Sequence, residues 1–128
     1  MAREVMKPAE GGGHGPGMVP GIKAGGFLFL SAIRGRGKDG FPDDTKEQAR
    51  NAFEGMKNLL AAQGATLNDV VKVTLYLHDL KYRTAFHEVW MEYYPENPPA
   101  RLALQVADAN AQPGQGAHFA LDVIALAP

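Results

Sequence analysis

The chain has 128 residues, with 13 Lys and Arg against 14 Asp and Glu, and no cysteine. A single domain of that length, residues 1–128, buries roughly two-thirds of the surface its unfolded chain exposes and folds without staples. Lack of cysteine excludes disulfides, thiolate zinc sites and a cysteine nucleophile, and a net charge of −1 argues against bulk electrostatic binding of nucleic acid or an anionic membrane. No apolar run approaches the roughly 18 residues that span a bilayer. The first residues lack the hydrophobic segment of a secretory signal. The expectation is a soluble cytoplasmic domain.

Residues Gly11 to Gly21 hold six glycines and two prolines, a loop by composition. Such glycine density suggests a phosphate cradle, but no Gly-Lys-Ser/Thr closes it and no convincing strand precedes it. Ile22 to Ala32 read as a strand pair, with the apolar run Phe27 to Leu30 between glycines and Ser31-Ala32. Arg34 to Gly40 is a solvated hairpin or loop, since Asp39 follows Lys38 where a phosphate loop needs Ser or Thr. The first helix is the clearest element. Asp44 caps it, Glu47 stands three residues on, and Ala49, Ala52, Phe53, Met56, Leu59 and Leu60 repeat at helical spacing. Gly64 ends it.

Val71, Val73, Leu75 and Leu77 alternate with Lys72, Thr74, Tyr76 and His78, a strand with two unlike faces. A second helix carries Phe86, Val89, Trp90 and Tyr93 on one stripe and stops before Pro95. Strands Arg101 to Val106 and His118 to Leu126 follow. The order predicts an α+β fold, a mixed sheet with two helices packed on one face. Its second face, with Lys72, Thr74, Tyr76 and His78, is neither plainly solvent nor plainly core, and another subunit is the economical cover.

Arg101 is the most informative residue. Pro98 and Pro99 fix φ and bias the residues before them toward extended backbone, so the chain enters this strand rigidly. A permanently charged, planar fork at that point suits a carboxylate held by two parallel hydrogen bonds. An ordinary ion pair with an Asp or Glu is the plainer alternative. Among the histidines, His118 is either a polar strand start or a proton carrier, and His87, facing away from the apolar stripe, is either functional or solvated. His14 and His78 are incidental. No pair of possible ligands has metal spacing. Trp90, Tyr93 and Tyr94 have core spacing rather than the exposure that base stacking needs.

Phe29-Leu30-Ser31, Gln63-Gly64-Ala65, the run Asp69 to Leu77, Pro99-Ala100-Arg101 and Gln105-Val106 together resemble the RidA/YjgF/YER057c/UK114 (Rid) family, in order from about residue 14 to residue 127. The resemblance implies a chorismate-mutase-like (RidA-like) fold and a homotrimer whose sheets form an inner barrel with inter-subunit clefts. It implies hydrolysis of reactive enamines and imines to keto acids and ammonia, without metal or cofactor. Carried over by position, Arg101 matches the carboxylate-binding arginine and Ser31 the family serine. Ala32 replaces a glycine, His87 stands where asparagine is common, and Ala103 stands where several members carry cysteine. Ala120 occupies the position of the catalytic glutamate. Asp122 lies two residues on, and His118 two residues before, on what alternation makes the same strand face.

Loss of a general acid/base costs about 10² to 10⁴ in rate. The expected protein is therefore a divergent Rid-type deaminase-like hydrolase of a small carboxylate-bearing enamine, imine or related reactive metabolite. Arg101 binds the carboxylate, the cleft at Ser31, Ala32, Ala103 and Ala120 contacts substrate, and His87 or His118 moves protons. The alternative is a catalytically reduced trimer that binds or senses small carboxylates, which needs the arginine but not the acid. A third, ribonuclease-like reading would use Arg34, Arg36 and Lys38 on phosphate; nucleic acid and membrane are not expected partners.

Overall fold

The computed structural model describes residues 2–12 and 14–128; Gly13 of the glycine-rich loop lies outside them. Strands β1 (Glu4–Val5), β2 (Gly21–Ala24) and β3 (Phe27–Leu30) precede helix α1 (Thr45–Ala62). Strand β4 (Val70–Leu77), helix α2 (Arg83–Tyr93), β5 (Ala100–Gln105) and β6 (Phe119–Leu126) complete the chain. They form one mixed sheet in the order β1-β2-β3-β6-β4-β5, parallel only between β4 and β5. This is the α+β arrangement expected from the element order. The two-residue β1, which pairs with β2, is too short to leave a periodic trace in the sequence.

Helix α1 begins where Asp44 accepts a hydrogen bond from the Glu47 N–H. At its other end Gly64 has φ +78°. Its N–H bonds the Ala61 carbonyl while Ala65 N–H reaches back to Leu60, a closure that favours glycine. The apolar stripes of both helices meet the strand residues Leu28, Leu30, Val73, Leu75, Leu77, Leu121, Val123 and Ala125 in one buried cluster. Phe53 is central to it, its ring against Phe86, Trp90, Tyr93 and Tyr94. Because strand side chains alternate, the opposite face carries Phe29, Leu102 and Leu104, all exposed, with half-buried Thr74 and Tyr76 beside them. The unlike faces of β4 are thus a core face and a face of Lys72, Thr74 and Tyr76 flanked by exposed apolar residues of β3 and β5.

The sheet is irregular at two points. One is the start of β4, where the register against β6 shifts between Val70 and Lys72 and leaves Val71 exposed. The other is where β3 leaves β6. Between the pair Phe29–Ile124 and the bridge Ile33–Leu121, three residues (Leu30, Ser31, Ala32) oppose two (Val123, Asp122). The extra residue is a bulge, which bends the chain at Ser31-Ala32. The approach to β5 also departs from expectation. Asn97, before Pro98, is not extended but has φ +52°. Asparagine is among the few side chains that tolerate this left-handed backbone, and the chain turns there from α2 back into the sheet.

Candidate functional site

Arg101 stands on edge strand β5 opposite Val73, so it projects to the helix side of the sheet. Its guanidinium carbon lies 4.7 Å from the centroid of the buried Trp90 ring. That contact explains how a charge is tolerated at the margin of the core. The Nη1 atom is enclosed, and no hydrogen-bond partner reaches it among the described residues. Burial, and then the neighbouring Arg83 charge, push the Arg101 pKa below its ordinary value. An enclosed donor without an acceptor costs about 1 to 3 kcal/mol, so the chain holds Arg101 in a state that an incoming anion would relieve. Among the described residues no Asp or Glu forms an ion pair with Arg101.

A cleft of about 230 Å³ opens beside it, lined by Arg83, Thr84, His87, Glu88 and Arg101. Thus His87, exposed on α2, shares a cleft with Arg101. The Glu88 carboxylate is held by Lys46 and does not neutralise the arginines. Larger clefts of about 380 and 490 Å³ lie by β1 and along α1. Neither is lined by an arginine or a histidine, so volume alone does not mark the chemistry.

The remaining candidates lie elsewhere. Ser31 donates its hydroxyl to the Val19 carbonyl at 2.7 Å, and Ala32 is exposed at the bulge. Ala120, opposite Tyr76 on β6, belongs to the face away from the helices together with exposed Asp122. Ala103 is half-buried against the core on the Arg101 side. Within one chain, therefore, Arg101, His87 and Ala103 form one group. Ala120, on β6, lies two strands from β5 on the other face of the sheet, and Ser31 and Ala32, at the end of β3, lie three strands away.

His118 departs from the face that alternation assigns it. Strand β6 starts only at Phe119, and the His118 ring lies flat on Tyr82, centroids 3.8 Å apart. Its Nδ1 is 2.8 Å from the Thr45 hydroxyl. Arg101 pairs with Val73 and Val73 with Val123, so His118 stands five residues along β6, roughly 17 Å of strand. Burial lowers its pKa below the usual histidine value, with Asp43 pulling the other way. The same corner contains Gln48, fully buried, a residue whose role the sequence pattern does not announce. Its amide nitrogen donates to the Pro42 and Gly116 carbonyls and its oxygen accepts from the His118 N–H. Arg83 likewise goes unmarked in the sequence, although it stands four residues before His87 and so shares its helix face.

Trp90 and Tyr94 are buried and Tyr93 stacks on Phe53 at 4.6 Å, which leaves these rings in the core. Arg34 donates from Nε to the Ala109 carbonyl, and Arg36 lies over Phe41. Among the described residues no group of three or more His, Cys, Asp or Glu is placed to hold a metal ion, and no helix is long and apolar enough to cross a membrane.

The six-stranded mixed sheet with two helices agrees with the fold of known proteins. The family model described as endoribonuclease L-PSP matches residues 17–127. The chain belongs to this family, the Rid proteins of the sequence resemblance. A RutC family protein of Pyrococcus horikoshii is 42% identical over 89 residues, 67% of this chain and 71% of that protein. Among solved structures, RidA from the Antarctic bacterium Psychrobacter is 28% identical, with a TM-score of 0.82 over 96% of this chain and 98% of its own. The yeast protein YEO7 has a TM-score of 0.85 at 24% identity, covering 99% of this chain and 100% of that one, a likeness of fold.

Proposed function

We propose that the protein is a deaminase-like hydrolase of small 2-imino or 2-enamino carboxylates, with Arg101 as the carboxylate anchor. The observation that carries this reading is the enclosed, unpartnered Nη1 of Arg101, in a chain whose relatives include a RidA protein. The substrate carboxylate accepts hydrogen bonds from the guanidinium and fixes the adjacent C=N carbon over the cleft. Water adds to that carbon, a proton passes to nitrogen, the C–N bond breaks, and the products are a 2-keto acid and ammonia. His87 is the proton carrier that lines the same cleft. His118, on Tyr82 and Thr45, is better placed to hold the corner than to serve Arg101 of its own chain.

The complete site is shared between copies of the chain. The exposed Phe29, Leu102 and Leu104 give the open sheet face an apolar surface suited to burial in a homotrimer. A neighbour would then bring Ser31, Ala32 and Ala120 to the Arg101 cleft. Ala120 supplies no acid, and this favours a second reading, a trimer that binds small carboxylates without turning them over.

Ammonia release from freshly generated 2-aminoacrylate and 2-iminobutyrate, wild type beside Arg101→Ala, separates the two. A hydrolase accelerates release above the uncatalysed rate, and the acceleration falls by about 10² or more without the anchor. A wild type with no acceleration, yet stabilised against heat by 2-keto acids, is the binder.

A further inference from the structure

Arg83 and Arg101 line one small cleft, and among the described residues neither forms an ion pair. The one carboxylate in the lining, Glu88, is engaged by Lys46. Placing two uncompensated guanidinium groups together is unfavourable, because each raises the cost of the other's charge. Arg83 is also badly placed for its own helix. It is the first residue of α2, which continues the short 3-10 turn Leu80–Tyr82, and the helix dipole near this end disfavours a cation. That first turn holds no acidic residue, and no side chain caps it. Nothing in the packing requires an arginine there, since its side chain is exposed.

We propose that Arg83 reads a second anionic group, so that the preferred ligand of the Arg101 cleft is a compact dianion: a 2-imino or 2-keto diacid rather than a monoacid. The proposal rests on the carboxylate-anchor role of Arg101 and adds a specificity-determining residue to it. One acidic group meets Arg101 at the foot of the cleft. The other, at the far end of a short carbon chain, meets the exposed Arg83 at the rim. With both groups bound, each guanidinium gains the counter-charge that the chain withholds. A volume of about 230 Å³ lies below the roughly 300 Å³ at which sites for drug-sized ligands begin, in keeping with a ligand of a few carbons.

Calorimetric titration of the full chain with 2-oxoglutarate and with 2-oxobutyrate tests this without depending on turnover. Wild type binds the diacid about ten- to a hundredfold tighter, the worth of one charge-assisted hydrogen bond. Arg83→Gln brings that ratio close to one, chiefly by weakening the diacid. Lys57→Gln, an equal change of charge outside the cleft, leaves the ratio as in wild type. Arg101→Ala weakens both ligands. Equal affinities in wild type, or a ratio that Arg83→Gln does not move, overturn the role of Arg83 while leaving the Arg101 anchor intact. Binding of neither acid overturns both.

Discussion

Gln48 and Arg101 are both polar side chains drawn against the core, and their hydrogen bonding is opposite in kind. Gln48 is fully buried, and its amide is tied at 2.7 Å to Pro42, 2.9 Å to Gly116 and 2.9 Å to His118. It fastens the segment before α1 to the segment before β6. Even the neighbouring backbone is fitted to it: a Cβ on Gly35 would lie 2.1 Å from the Gln48 carbonyl oxygen. Arg101 has a buried Nη1 with no partner among the described residues and a like charge nearby. A polar group whose bonds are complete holds the fold, whereas one left incomplete calls for an explanation, which for Arg101 is the external anion proposed above.

Substitution sharpens the contrast. Gln48→Leu fills similar space but strands two carbonyls and one N–H in the interior. At about 1 to 3 kcal/mol for each stranded group, without full additivity, the loss is about 3 kcal/mol or more in equilibrium urea unfolding. The same variant leaves the Arg101 cleft unaltered, so its folded fraction binds 2-keto acids as wild type does.

A smaller effect is expected at His118, in the same corner. Its pKa is lowered in the folded state, chiefly by burial. Between the folded and unfolded values the unfolded chain binds more protons. The stability contributed by the neutral ring is thus present above the unfolded histidine value of about 6.5 and lost as pH falls through the folded one. Unfolding midpoints of wild type should decline over that acid window more steeply than those of His118→Gln. Parallel pH profiles would mean that the ring is as free in the fold as in the unfolded chain.

The elements legible in the sequence are those with strong local signals. Helix α1 announces itself through its stripe, Asp44 and Gly64, and β4 through an alternation that holds from Val73 to Leu77 but fails at Val71, exposed beside buried Val70 where the ladder bulges. Arg101 stands out because Pro98-Pro99 lead directly into its strand and because the surrounding motif is specific to a family. What stays hidden depends on long-range partners. Gln48 reads as a solvated helix residue until Gly116 and His118 fold onto it from about 70 positions away. A faint signal exists, since Gln48 stands four residues before Ala52 and eight before Met56 on the buried stripe. A period-2 count puts His118 on the face of Ala120, but that count fails before the strand begins. Arg83 escapes notice because an arginine at a helix start resembles any surface cation until β5 brings Arg101 beside it.

The smallest expected effect on stability is also the most direct test of the central claim, that Arg101 is held for a ligand and not for the fold. Arg101→Leu removes an unsatisfied donor, a gain of about 1 to 3 kcal/mol, and a cation–π contact to Trp90, a loss of about 0.5 to 2 kcal/mol. Urea unfolding and 2-oxobutyrate titration on the same preparation decide the matter. The expected result is stability within about 1 kcal/mol of wild type with ligand binding abolished. A variant that still binds the keto acid, or one that loses stability as Gln48→Leu does, would contradict it.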